Sequence, residues 1–302
     1  MCVICGCGEG DATVHKVGAA PTHEHDDPHV HTHADGTTHS HEHGIYHDHD
    51  HDHDHGHDHG HVHDHPHAPG HPRDLHVPGR DAQTIALETA LLGKNQALAE
   101  RNRGWLAGRG VLALNLMSSP GAGKTTQLER SILDLQGQVA ISVVEGDQAT
   151  LNDAERIRAT GAAAVQVNTG TGCHLEADML ARALDLLQPA KGSLLVIENV
   201  GNLVCPALFD LGEKARVVIF SVTEGEDKPL KYPHMFSRAD VLLLSKTDLL
   251  PHLRVDLQRM MGNALTVNPR LKIIPVSAYT GEGLDAWYSW LRDELGGLAE
   301  SR

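Results

Sequence analysis

The chain has 302 residues with 40 acidic and 25 basic side chains, a formal net charge of −15, which leaves no basic surface to neutralise a nucleic-acid backbone. Residues 1–78 hold 14 acidic and 2 basic side chains, a balance of −12, so residues 79–302 carry only −3, and 22 of the 25 histidines precede Val77. No apolar run approaches the roughly 18 to 20 residues that a membrane helix needs, and the N-terminus lacks the basic and apolar regions of a signal peptide, so a cytoplasmic protein without membrane contact is expected.

The first segment, residues 1–22, opens with Met-Cys-Val-Ile-Cys-Gly-Cys. Cys2, Cys5 and Cys7 stand at C-x-x-C-x-C spacing and can converge on one soft metal ion, with the nearby α-amino group as a fourth ligand. The five cysteines are odd in number and suit metal ligation better than a disulfide framework in a reducing compartment.

Residues 23–78 are of low complexity, with HDHDHDHDH at 47–55. Almost no large apolar side chain is present to offset the entropy of ordering, so disorder is expected. Imidazoles alternating with carboxylates offer many borderline ligands for Ni²⁺, Zn²⁺ or Cu²⁺. Metal buffering follows from that chemistry.

Pro78 and Gly79 mark the boundary of a third region, 79–302. Ile85, Leu87, Leu91, Leu92, Leu98 and Leu106 form a helical stripe that predicts one or two helices covering a sheet or a partner subunit. Seven apolar runs fit for buried parallel strands then follow, at 111–117, 139–144, 163–167, 193–197, 215–222, 241–244 and 273–276, with helical patterns between several of them. A doubly wound α/β fold with a mostly parallel sheet and a ligand at the carboxyl ends of the strands is expected.

The first of these runs leads into Ser118-Ser119-Pro120-Gly121-Ala122-Gly123-Lys124-Thr125-Thr126, a phosphate-binding loop between strand and helix. Gly121, Ala122 and Gly123 let backbone N–H groups close around phosphate oxygens, Lys124 reaches the β/γ-phosphates, Thr125 ligates Mg²⁺, and the N-terminus of the following helix, near Thr126, faces the anion. Ser118 stands where the usual first glycine is expected.

Later strand ends supply the remainder. The carboxylates of Glu145-Gly146-Asp147, Glu145 and Asp147, can approach Mg²⁺, Glu198 can hold the metal or its water, and the Gly201 N–H can sense a γ-phosphate. Asp248, in Ser245-Lys246-Thr247-Asp248, can accept from guanine N1–H and its 2-amino group, with Ser277-Ala278 closing the base site. GTP is therefore expected rather than ATP. No arginine stands in the phosphate loop, so intrinsic turnover should be slow. Cys173 and His174, at a loop-to-helix junction, together with Cys205 form a candidate three-ligand set that leaves one position for exchange.

Taken together, CVICGC at 2–7, SSPGAGKTT at 118–126, EGD at 145–147, TGCHLEADM at 171–179, ENVGNLVCP at 198–206, SKTDLLP at 245–251 and VSAYTGEGLDAWYSWL at 276–291 closely resemble the HypB family of hydrogenase nickel-incorporation GTPases. The resemblance implies a P-loop GTPase that dimerises with nucleotide, binds nickel or zinc, and works with a HypA-like metallochaperone to deliver Ni²⁺ to the hydrogenase large subunit. It makes Cys2, Cys5 and Cys7 the high-affinity nickel site, and Cys173, His174 and Cys205 the second metal site. Ser245 replaces the Asn of N-K-x-D beside Lys246 and Asp248. Two other readings are a UreG-like urease accessory GTPase, against which the cysteine pattern speaks, and a nickel-storage protein with a vestigial nucleotide fold, against which the intact Gly123-Lys124-Thr125 speaks.

Overall fold

The computed structural model describes residues 13–16, 30–32, 38–40, 82–147, 152–170 and 172–300. Cys2, Cys5 and Cys7, and most of the His-rich stretch, lie outside them.

Within residues 20–79, which form a unit separate from the rest, β2 (Val30–Thr32) and β3 (Thr38–Ser40) pair antiparallel with His31 opposite His39. Six residues expected to be disordered are thus strand. Val30, Thr32 and Thr38 are β-branched, and the intervening sequence contains Asp35-Gly36, a hairpin signal.

The other unit is built on an eight-stranded sheet. Its elements run β1 (Thr13–Lys16), α1 (Ala82–Arg109), β4 (Leu112–Ser118), α2 (Lys124–Asp134), β5 (Ile141–Asp147), α3 (Asn152–Ala159), β6 (Ala163–Asn168), α4 (Ala177–Leu187) and β7 (Leu194–Glu198). They continue with α5 (Cys205–Leu208), β8 (Ala215–Ser221), α6 (Lys228–Lys231), α7 (Pro233–Ser237), β9 (Val241–Ser245), a 3₁₀ turn at Thr247–His252, α8 (Leu257–Val267), β10 (Lys272–Pro275) and α9 (Leu284–Glu300). Strand order is β1-β6-β5-β7-β4-β8-β9-β10. Pairing is parallel from β6 to β10, and β1 is added antiparallel at the β6 edge with Thr13 opposite Asn168.

All seven apolar runs are strands, and a single 28-residue helix precedes them. Their side chains alternate between the faces, as the two-residue period of a strand requires. Leu112, Leu114 and Leu116 of β4 and Leu194 and Val196 of β7 pack under Leu128, Ile132, Trp287 and Leu291 of α2 and α9. Leu195 and Ile197 of β7 face Leu106 of α1 and Leu180 and Leu184 of α4. A third cluster joins Met117, Val218 and Phe220 to Phe236 of α7 and Met260 of α8. Helices on both faces leave the carboxyl ends of the strands as the open rim. β4 lies between β7 and β8, where successive crossovers part to opposite sides, and this opens a crevice at that end.

Candidate functional site

The phosphate loop leaves β4 at Ser118 and enters α2 at Lys124. Gly121 and Gly123 have φ of 73° and 96°, left-handed values that a side chain disfavours and that the tight turn between strand and helix requires. The loop is braced from outside. The Ser245 hydroxyl donates to the Ala122 carbonyl at 2.7 Å, and Lys246 Nζ donates to the Gly121 carbonyl at 2.7 Å. Ser119 donates to the Glu224 carboxylate, which also takes Lys228 Nζ. Ser245, which departs from the usual Asn, therefore anchors the loop.

Glu198, the last residue of β7, is the centre of the site. Its Oε1 accepts from Lys124 Nζ at 2.7 Å and from Thr125 Oγ1 at 2.6 Å. In register beside it on β5 stands Glu145, also buried. Oε2 of each is buried without a hydrogen-bond partner among the described residues. Burial, followed by the nearby Glu198 and Asp147 carboxylates, pushes Glu145 up to about 8. Two orphaned carboxylate oxygens beside Asp147 and the Thr125 hydroxyl form an all-oxygen donor set, which fits Mg²⁺.

Lys124, Thr125, Glu145 and Asp147 line a cavity of ≈ 410 Å³ with Gly121, Ala122, Gly123, Thr126, Asp153, Arg156, Val200 and Gly201, a volume suited to a small ligand, and Glu198 lies behind Lys124 and Thr125. Gly201 lies against the loop, since a Cβ there would meet Pro120 Cα at 3.3 Å. The strand runs three residues past the apolar run at 139–144, so Asp147 is the last residue of β5. Ser277 donates to Asp248 Oδ1 at 2.6 Å, and Arg130 Nη1 donates to the Ala278 carbonyl at 3.0 Å, so the residues expected to hold the base, from two strand ends, meet.

A second site lies on the loops after β6 and β7. Cys173, His174 and Cys205 are buried, and their ligand atoms all lie within 4.8 Å of one another. Cys173 Sγ is 3.7 Å from His174 Nδ1, while His174 Nε2 is 3.6 Å from Glu176 Oε1. The His174 contact holds the Glu176 carboxyl below its usual range. Nδ1 thus lies beside the Cys173 thiol, while Nε2 is buried without a hydrogen-bond partner among the described residues and has the Glu176 carboxylate as its nearest charge. Phe209 stacks on the ring at 3.9 Å between centroids. A trio of two thiols and one imidazole suits zinc or nickel.

Helix α1 fixes both walls. Asn95 accepts from the Ala177 N–H and donates to the Asp210 carbonyl, and Asn102 donates to the Ala177 and Leu211 carbonyls. Asn199, next to Glu198, reaches across: its Oδ1 accepts from Leu175 N at 3.1 Å and from Val200 N at 3.0 Å, and its Nδ2 donates to Asn115. Gly146 completes the contact, since a Cβ there would lie 2.7 Å from Leu175 Cγ.

Sequence reasoning missed Asn199, Glu176 and Arg156, and it gave Glu145 no more than a place near Mg²⁺. The carboxylates and the amide had only their neighbourhood to a motif as a signal. Arg156 sits on α3, outside the phosphate loop where a cation was sought.

Comparison with known proteins agrees with this geometry. The nucleotide-binding domain model described as CobW/HypB/UreG matches residues 112–275. Hydrogenase maturation factor HypB of Rhizobium leguminosarum bv. viciae is 58% identical over 218 residues, 72% of this chain and 73% of the relative. The chain belongs to the HypB family. HypB of Escherichia coli K12 is 54% identical over 220 residues, 72% of this chain and 76% of that relative. The HypB crystal structure from Archaeoglobus fulgidus matches with TM-score 0.64 and 42% identity, covering 68% of this chain and 100% of that one. HypB from Helicobacter pylori, solved in complex with nickel, matches with TM-score 0.64 and 38% identity, covering 68% and 96%. As a member of the HypB family the chain is a P-loop GTPase, and no helix among its described residues is long and apolar enough to cross a membrane.

Proposed function

We propose that this chain hydrolyses GTP to drive delivery of nickel to the large subunit of a hydrogenase, with a HypA-like metallochaperone as donor or acceptor and a homodimer formed in the presence of nucleotide. The observation that carries this reading is that one short segment serves both sites. Glu198 accepts from Lys124 and Thr125, Asn199 accepts from the residue after His174, and Cys205 follows at the start of α5.

In this reading Lys124, Gly121, Ala122, Gly123 and Thr126 bind the phosphates, while Asp248, Lys246, Ser277 and Ala278 hold guanine. Thr125, Asp147 and Glu198 hold Mg²⁺, which neutralises charge on the β/γ oxygens when bound. Gly201 follows the γ-phosphate, and the contact with Pro120 turns its movement into movement of the segment that ends at Cys205. Cys173, His174 and Cys205 bind Ni²⁺ or Zn²⁺ as cargo. Cys2, Cys5 and Cys7 form a further thiolate site, and residues 23–78 store nickel on their histidines.

The test is nickel transfer from the loaded full-length protein to metal-free hydrogenase large subunit, followed with GTP and with a non-hydrolysable analogue. Transfer should be faster with GTP; equal rates contradict the reading. The storage role has its own check, since deleting residues 23–76 should remove most of the bound Ni²⁺ measured by equilibrium dialysis and leave GTP turnover intact. An unchanged stoichiometry would make the histidines spectators. The domain without its tail is a sound object for such work, because the whole Archaeoglobus fulgidus HypB chain corresponds to 68% of this one.

A further inference from the structure

Two basic side chains line the phosphate cavity, Lys124 and Arg156, against the acids Glu145, Asp147 and Asp153. A nucleoside diphosphate brings more negative charge into that wall, and one ammonium at the β/γ end leaves the α-phosphate without a cation. Arg156 is placed to supply it. Its Nη2 donates to Thr126 Oγ1 at 3.1 Å and to Glu129 Oε2 at 2.6 Å, and its Nη1 donates to Asp153 Oδ1 at 3.4 Å.

These partners, two of them on α2, hold the guanidinium on the α2 flank of the cavity. Along a phosphate loop the backbone N–H groups cradle the α- and β-phosphates while the lysine reaches the β- and γ-phosphates. A cation beside Thr126, one residue past the Mg²⁺-side threonine, therefore lies nearer the α-phosphate. A planar fork of five donors can keep Glu129 and still offer N–H groups to a phosphate oxygen.

We infer that Arg156 is a nucleotide-binding residue that grips the α-phosphate, contributing equally to GDP and GTP rather than acting on the γ-phosphate in the transition state. The inference rests on the phosphate reading of this cavity. An interaction made equally in ground and transition states changes affinity and not turnover.

The experiment measures affinities of the full-length protein for GDP, GMP and a non-hydrolysable GTP analogue, with kcat for GTP. Arg156→Ala should weaken all three nucleotides by the same factor, about tenfold for a part-exposed charge-assisted contact, and leave kcat within about twofold. Arg156→Lys should fall between. Parental affinities throughout overturn the inference, as does a loss confined to the triphosphate or a fall in kcat, either of which would put the guanidinium at the γ-phosphate. Parental GMP affinity overturns it too, by moving the contact to the β-phosphate.

Because removing Arg156 leaves the Glu129 carboxylate beside the phosphates, the Arg156→Ala, Glu129→Gln double variant is measured alongside. Affinity that stays low supports a direct grip; a return to the parental value means that Arg156 only neutralises Glu129. Lys124→Ala separates the two levels, for unchanged nucleotide affinity and turnover in that variant would sink the assignment of the cavity itself, whatever Arg156 does.

Discussion

The phosphate cavity and the Cys173–His174–Cys205 cluster stand at the same rim of the sheet and are built by opposite means. The cavity is open and charged, shaped by left-handed glycines and braced by Ser245, Lys246 and Glu224 from outside. The cluster is buried, stacked on Phe209 and clamped by asparagines of α1. On the proposed function the difference follows from the ligands. A nucleotide enters and leaves whole and needs many backbone donors, whereas an ion handed between proteins needs a few soft ligands in a dry setting where exchange is controlled. Asn199 and the Gly146–Leu175 contact are where the two constructions touch.

That contrast can be broken one side at a time. Lys124→Ala should reduce GTP hydrolysis by at least about 100-fold, since it removes the charge facing the transferred phosphoryl group, while metal content of the cluster stays at the parental level. Parental turnover would show the loop to be misassigned. Cys205→Ser should weaken metal binding at the cluster by on the order of 100-fold and leave GDP affinity unchanged, as read by thiolate absorption and nucleotide titration. Loss of both would mean that the sites are one structural unit.

A third experiment probes charge in the cavity. Glu145 has a folded value of about 8 against an ordinary 4.5, so between those pH values the native state holds a proton that the unfolded chain has released. Stability of the metal-free protein should therefore fall as pH rises through this window and level off above about 8. Glu145→Gln removes that slope. It should raise stability at pH 8 by about 2 to 3 kcal/mol, roughly 5–10 °C in melting temperature, with no gain at pH 4.5. An equal change at both pH values would exclude the ionised carboxylate as the cause.

Much of this architecture was legible because burial on both faces writes parallel strands as apolar runs. Leu194–Glu198 and Val241–Ser245 are each fully buried strands ending in a polar residue, and the site sits where each run stops. Lys124 and Thr125 meet Glu198, and Ser277 meets Asp248, because each lies beside such a stop. What stayed hidden depends on contacts between distant parts of the chain. Asn95 and Asn102 look like surface positions on a helix until the sheet brings Ala177 and Asp210 against them. Asn199 is adjacent to a motif residue, yet its task concerns Leu175, 24 positions away. Arg156 lies on a short helix whose placement beside α2 no local pattern announces. β1 is four residues long, too short for periodicity, and owes its strand state to the open edge of β6.

The smallest expected effect concerns the junction. Asn199→Ala removes the acceptor for Leu175 N and should cost about 1 to 3 kcal/mol in stability, the ordinary price of a buried donor left unpaired. Each site should still bind its own ligand, but metal affinity should no longer depend on the nucleotide. If the dependence survives, coupling runs through Gly201 and Cys205 alone.

The central claim is that nucleotide state sets the metal affinity of Cys173, His174 and Cys205. Ni²⁺ titration of protein lacking residues 1–76, once with GDP and once with a non-hydrolysable GTP analogue, measures it directly. The account predicts affinities that differ about 5- to 150-fold, with metal changing nucleotide affinity by the same factor. Equal affinities in the two states would contradict it, even if both ligands bind.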